Sequence, residues 1–163
     1  MSDYKGTNIL EKIGAFVPGY AGYAQREGRR QTDKLLRAAT VKEIQTKKRL
    51  LDEAVQRLTG EGKLTHLPPL DAIRRQLDLI ANRLAYAKYG TSGFFDIVQI
   101  NEQDLDRVYS YDLSMVSAVR ECLQKVDAVT TATESDRLSV DIREGLKQLE
   151  KLIDARNKIF MEV

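Results

Sequence analysis

The side chains that most often carry catalysis or hold a metal are scarce in this sequence. It has one histidine, His66, next to Leu67-Pro68-Pro69, and one cysteine, Cys122. A di-iron carboxylate bundle needs two Glu-x-x-His pairs, and the sequence contains none. His66 falls in a connection between helices, and Cys122 falls at an apolar helix position where a small buried residue is expected. The sequence therefore predicts no metal site and no cofactor, and it disfavours an enzyme.

Asp112 is the acidic residue with the most informative position. It falls among apolar residues spaced three and four apart, so it should point into the core, where an unpaired carboxylate is costly. Arg156 occupies a corresponding position on the last helix, and Tyr109 and Tyr111 are neighbours. An Asp–Arg or Asp–Tyr pair that fixes helix register is the favoured interpretation, and a buried polar binding site is the alternative. Lys48 interrupts another apolar pattern and is also expected to be a buried polar residue.

The segment from Tyr20 to Arg49 combines tyrosines with nine Lys/Arg against three Asp/Glu. Tyrosine and arginine are favoured anchors of protein interfaces. We expect a docking surface within Tyr20–Arg37, and its candidate partner-binding side chains are Tyr20, Tyr23, Arg26, Arg29 and Arg30. A solvated helix face, or one that pairs with an acidic helix, is the commoner meaning of such a stripe.

A protein is the expected partner of that segment. An anionic membrane surface and a second copy of the chain are the alternatives, and nucleic acid is disfavoured by a net charge of only +2 and the absence of a recognition motif. The leading hypothesis is thus a non-enzymatic helical interaction module. The second hypothesis is a bundle, with or without catalytic activity, that binds a small molecule or an ion through Phe94–Asp112.

The apolar pattern predicts an all-α fold of one domain, 1–163. Apolar residues recur three and four apart in four long segments, as in coiled coils, and each segment needs partners to bury its apolar face. We expect an antiparallel four-helix bundle over 23–163, with helices near residues 23–58, 70–89, 102–129 and 136–160. A short amphipathic helix and a turn should precede it over 1–22.

Capping and breaking residues set the expected helix ends. Thr7 should cap the first helix, Pro18-Gly19 should end it, and Asn101 should cap the third bundle helix. Gly90 is expected as a C-cap, and Ser135 or Asp136 should begin the last helix. The stretch Thr91–Ile100 is predicted to be an apolar loop that packs against the bundle.

Charge and composition indicate the compartment. No apolar run approaches the roughly 18 residues that span a bilayer, and the single cysteine fits a reducing environment. We therefore expect a cytoplasmic protein. Residues 1–60 carry 12 Lys/Arg against 7 Asp/Glu, whereas residues 91–163 carry 9 against 14, so the two parts of the chain are complementary in charge.

Two blocks of sequence resemble a pattern of small uncharacterised helical proteins of bacteria. The first is Val17-Pro18-Gly19-Tyr20-Ala21-Gly22-Tyr23, followed by Glu27-Gly28-Arg29-Arg30 and Asp33-Lys34-Leu35-Leu36-Arg37. The second is Gly93-Phe94-Phe95-Asp96 with Asp104-Leu105-Asp106-Arg107, Tyr109 and Tyr111-Asp112-Leu113. The resemblance implies a bacterial protein and supplies no activity, cofactor or catalytic residue.

Overall fold

The computed structural model of the chain describes residues 3–88, 93–131 and 136–162. All regular secondary structure within these residues is helical, which confirms the all-α prediction. Short 3-10 turns lie in the connections at Arg26–Gly28, Leu64–His66 and Gly93–Phe95. The α-helices are α1 Asp3–Phe16, α2 Arg29–Gly60, α3 Leu67–Ala85, α4 Glu102–Thr131 and α5 Asp136–Glu162. None of the described helices is long and apolar enough to cross a membrane.

Several of the predicted helix ends differ from the observed ones. The first helix begins at Asp3, so Thr7 lies inside it and does not cap it. The α2 helix begins at Arg29 and not at residue 23, because a turn and a 3-10 segment occupy the preceding residues. The α3 helix begins at Leu67, since proline is well tolerated in a first helical turn, and it ends at Ala85 instead of residue 89.

The predicted cap of α4 is confirmed. The Asp104 backbone N–H donates to Asn101 Oδ1 at 2.8 Å, and Asn101 Nδ2 donates to the Asp104 carboxylate at 2.7 Å. This reciprocal pairing satisfies a backbone donor that a helix start leaves without a partner inside the helix. The predicted caps at Gly90 and Ser135 lie outside the described residues.

The turn between α1 and α2 depends on two glycines. Gly19 and Gly22 have φ angles of 86° and 79°, in the left-handed region that favours glycine, as their place in a predicted tight turn suggested. A Cβ on Gly22 would also lie 2.6 Å from Tyr109 Oη. The backbone of this turn therefore approaches α4 more closely than any other residue type would allow.

One core joins all five helices. The α2 helix packs against α3 and α4, α5 packs against the same two helices, and α1 packs against α4. Ile13 of α1 and Val17, the residue after the helix, are buried, and Ile9, Leu10 and Phe16 pack against the core. In the described part of the predicted apolar loop, Phe94 and Phe95 are buried, whereas Val98 is exposed.

Candidate functional site

Asp112 is fully buried and is the centre of a polar network, which we define as Tyr20, Tyr23, Asp33, Asp112 and Arg156. Tyr20 Oη donates to Asp112 Oδ2 at 2.6 Å, and Tyr23 Oη donates to the same oxygen at 2.8 Å. The other oxygen, Oδ1, accepts from Arg156 Nε. Both carboxylate oxygens are thus occupied by partners from the turn and from α5.

Arg156 links this carboxylate to a second one on α2. Its Nη2 donates to Asp33 Oδ1 and to Tyr23 Oη, each at 2.9 Å, and its side chain is 1% exposed. Asp33 Oδ2 accepts from Arg37 Nε at 2.9 Å. Two carboxylates therefore meet two guanidinium groups, which is the balance that buried charges need.

Aromatic rings close the network off from water. The ring of Tyr23 lies 5.6 to 5.9 Å from those of Phe94, Tyr109 and Phe160, and the Arg156 guanidinium lies 4.5 Å from the centre of the Phe160 ring. Burial, reinforced by the charge of Asp112, raises the pKa of Tyr20 and of Tyr23 far above the ordinary value. Both phenols remain protonated donors as a result.

Arg29 fixes the turn to the segment before α4. This buried side chain donates from Nε to the Tyr23 carbonyl at 2.8 Å, and from Nη1 to the carbonyls of Phe94 and Ile97 at 3.2 and 2.6 Å. The Tyr23 backbone N–H donates to Tyr109 Oη at 2.8 Å. Burial lowers the pKa of the Arg29 guanidinium from its ordinary value.

The residues expected to bind a partner lie in two different environments. Tyr20, Tyr23 and Arg29 are buried, so their side chains are not at the surface and differ from the exposed anchors that the sequence suggested. The reason is that the turn folds back onto α4, where Asp112 attracts both phenols. Arg26 and Arg30 are exposed, and Arg30 pairs with Asp96 at 3.0 Å.

Lys48 differs from its expectation as a buried polar residue. Its side chain is 30% exposed, and its Nζ donates to the Asp78 carboxylate of α3 at 2.6 Å. The long aliphatic chain covers apolar surface while the ammonium group stays in contact with water. Ile44 and Leu51 are the fully buried residues on either side of it.

Cys122 is buried, as its apolar position predicted. Its Sγ donates to the Ile142 carbonyl at 3.6 Å, and burial raises the pKa of the thiol to about 11. The thiolate is therefore disfavoured, and this cysteine behaves as a small core residue. Within the described ranges, no group of three or more His, Cys, Asp or Glu residues could hold a metal ion.

An open groove runs between α2 and α3, and we call it the basic groove. One end is lined by Lys34, Arg37, Ala38, Val41, Lys42, Gln45 and Ala85, with no carboxylate among them. The groove continues past Ile44, Thr46, Lys48, Arg49, Asp52, Asp78, Ala81 and Asn82. Ala38, Val41 and Ala85 are the apolar residues that line its first end, and we call them its apolar base; the cations there are Lys34, Arg37 and Lys42.

Asp33 and the apolar base of the basic groove were not predicted from the sequence. Extending the apolar spacing of α2 backward from Ile44 by three and four residues reaches Thr40, Leu36, Asp33 and Arg29, all of which are buried. That extension was the available signal for Asp33. Ala38 and Ala85 could not be recognised in this way, because an exposed alanine does not stand out in the spacing of apolar residues.

A comparison with protein-family models, with curated proteins and with solved structures finds no match for this chain. The function of the chain therefore has to be inferred from the geometry of its own residues.

Proposed function

We propose that this chain is a non-enzymatic helical interaction module that docks a protein partner on the basic groove. The observation that carries the proposal is a stripe of exposed cations beside an apolar base. The side chains of Lys34, Lys42 and Arg49 are exposed, and no hydrogen bond or ion pair joins these side chains to other residues of the described ranges. Other cations of α2, such as Arg37 and Lys48, are held by carboxylates.

The interaction function is the one expected from the sequence, but the proposed docking surface is the basic groove and not the turn that precedes α2. Burial of Tyr20, Tyr23 and Arg29 argues against a docking surface built on the turn, and the exposed cations lie further along α2. An exposed tyrosine, Tyr86, directly follows Ala85 at the groove and offers an aromatic anchor of the kind that interfaces favour.

The alternative of a small-molecule or ion site in Phe94–Asp112 has less support. Asp112 has both oxygens engaged, and the rings of Tyr23, Phe94 and Phe160 pack around its partners. Asp96 is exposed and is paired with Arg30. These two carboxylates therefore lie in different environments and do not support a shared polar site.

As part of the proposal, the four longer helices form a bundle in which successive helices alternate in direction. The pairs Lys48–Asp78 and Asp52–Arg74 support this for α2 and α3, because residues later in α2 meet residues earlier in α3. On α4 and α5, Asp112 meets Arg156, and Cys122 meets Ile142. A cytoplasmic location and the bacterial family remain predictions from the sequence.

The test compares two triple variants of the tagged full-length protein in cross-linking pull-downs. Lys34→Glu/Lys42→Glu/Arg49→Glu reverses the groove, and Arg143→Glu/Lys147→Glu/Lys151→Glu reverses a matched exposed stripe on α5. We expect the groove variant to lose partners that the α5 variant retains. The same partner list for both variants would contradict the proposal.

Vesicles provide the second arm of this test. Co-sedimentation of the wild-type protein with phosphatidylserine vesicles at low salt, lost in the groove variant, would assign the basic groove to a membrane surface instead of a protein. We expect the wild-type protein to co-sediment with the vesicles no more than the groove variant does.

A further inference from the structure

The shape of the basic groove limits what it can bind. Ala38 and Ala85 contribute short side chains, and Val41 lines the same end of the groove. Small residues on two packed helices leave a depression that receives larger apolar side chains, as a ridge of one helix fits a groove between others. An amphipathic helix with leucine-sized residues on one face matches this shape.

The positive charges of the groove favour a binding partner that is negatively charged. Lys34, Lys42 and Arg49 are separated by eight and seven residues, so they share one face of α2 and lie about 12 and about 10 Å apart along the axis. Together they extend over roughly 22 Å, which is the length of four helical turns. Carboxylates on an occupant of that length could meet all three cations.

The carboxylates of the groove itself are already neutralised. Asp78 pairs with Lys48 at 2.6 Å, and Asp52 pairs with Arg74 at 3.0 Å. Arg37 is held by Asp33 and donates to the Leu84 carbonyl at 2.8 Å. What remains for an occupant is the positive charge of the three cations, of which Lys34 and Lys42 line the apolar end of the groove and Arg49 lines its continuation.

We infer that the basic groove binds an acidic amphipathic α-helix of a protein partner, about four turns long. Its apolar face packs on Ala38, Val41 and Ala85, and its Asp or Glu side chains face Lys34, Lys42 and Arg49. The inference rests on the proposed function and adds the shape and the charge of the partner segment.

The experiment is an NMR titration of the ¹⁵N-labelled full-length protein with a defined probe. The probe is a synthetic peptide of about 16 residues, capped at both ends, with Leu at helical spacing and Glu on the flanking positions. A control peptide carries Lys in place of every Glu. We expect the Glu peptide to shift amide signals of α2 and α3 along the basic groove, and the Lys peptide to shift none.

A charge swap makes the test specific. Lys34→Glu/Lys42→Glu/Arg49→Glu should weaken binding of the Glu peptide by about tenfold or more and should create binding of the Lys peptide. The Arg143→Glu/Lys147→Glu/Lys151→Glu variant should bind the Glu peptide as the wild-type protein does. Added salt should weaken the Glu peptide's binding, because these charges are exposed.

Two results would overturn the inference. One is the absence of groove shifts with the Glu peptide, and the other is equal binding of both peptides. If partner capture still depends on the groove in that case, the docking function stands and the helical occupant is wrong. If partner capture is also insensitive to the groove charges, the proposed function fails as well.

Discussion

The polar network and the basic groove use the same kinds of side chain for opposite purposes. In the network, Asp112 and Arg156 are buried and bonded to each other, and Tyr20, Tyr23 and Asp33 take further hydrogen bonds of the two side chains. In the groove, Lys34, Lys42 and Arg49 remain exposed, without ion pairs among the described residues. A charged residue that is fully satisfied inside the protein contributes to fold specificity, whereas an unsatisfied one at the surface is available to a partner.

The largest expected effect comes from breaking the network at its centre. Asp112→Ala leaves Arg156 buried beside only one remaining carboxylate and leaves two phenols without their acceptor. Removing one partner of a buried ion pair costs about 3–5 kcal/mol. Urea denaturation followed by circular dichroism should show this loss.

A half-exposed ion pair is the matched control. Asp78→Ala removes the partner of Lys48, whose side chain is 30% exposed, and should cost less than about 1 kcal/mol. Equal losses in the two variants would mean that the network is no more important to stability than a surface pair.

The next effect concerns the turn that delivers the two tyrosines. Gly22→Ala places a Cβ 2.6 Å from Tyr109 Oη at a φ of 79°, so we expect a loss of about 1–3 kcal/mol from strain. Gly14→Ala is the control, since nothing lies within 4 Å of its added Cβ in α1. That variant should gain about 0.5–1 kcal/mol, since alanine favours helix. The melting temperatures of the two variants, measured by thermal unfolding, should therefore lie on opposite sides of the wild-type value.

The next prediction is that alkaline pH lowers the free energy of unfolding through the buried tyrosines of the network. The pKa of Tyr23 lies well above 10 in the folded protein, so the unfolded chain loses its phenol proton first as pH rises. The free energy of unfolding should therefore fall above about pH 10, by up to about 1.4 kcal/mol per pH unit for each such tyrosine. The slope should decrease in Tyr23→Phe, and Tyr86→Phe, which changes a residue that is 77% exposed, is the control variant.

The smallest expected effect on stability is that of the groove variant. Lys34→Glu/Lys42→Glu/Arg49→Glu changes exposed side chains without ion pairs in the described structure, so the free energy of unfolding should shift by less than about 1 kcal/mol. Urea denaturation tests this value directly. A loss of several kcal/mol would show that these cations support the fold and would remove the contrast with the network.

The helices were the most predictable feature of the sequence. Apolar residues repeat three and four apart through α3, α4 and α5, and Asn101 could be identified as a cap from its type and place alone. The start of α2 was less predictable, because the residues after Tyr23 favour a helix locally but tertiary hydrogen bonds to Asp112 and Arg29 hold that segment in a turn.

The site was predictable only in part, for a physical reason. Asp112 and Arg156 were visible because a charged residue interrupts each apolar pattern. The burial of Tyr20 and Tyr23 could not be predicted, because tyrosine occurs both in cores and at interfaces. The groove depends on which helices are neighbours, and periodicity within one helix carries no information about that.

The reach of the network along the chain has a consequence for biosynthesis. Arg156 contacts Tyr23, 133 residues earlier, and Asp33, 123 residues earlier. While the ribosome is still extending the chain toward α5, Asp112 and Asp33 have been made but lack their shared guanidinium. During that interval Asp33 can pair with Arg37, and Asp112 can accept from the two phenols, but Asp112 has no cation to balance its charge. We therefore expect the polar network to close only after α5 has left the ribosome.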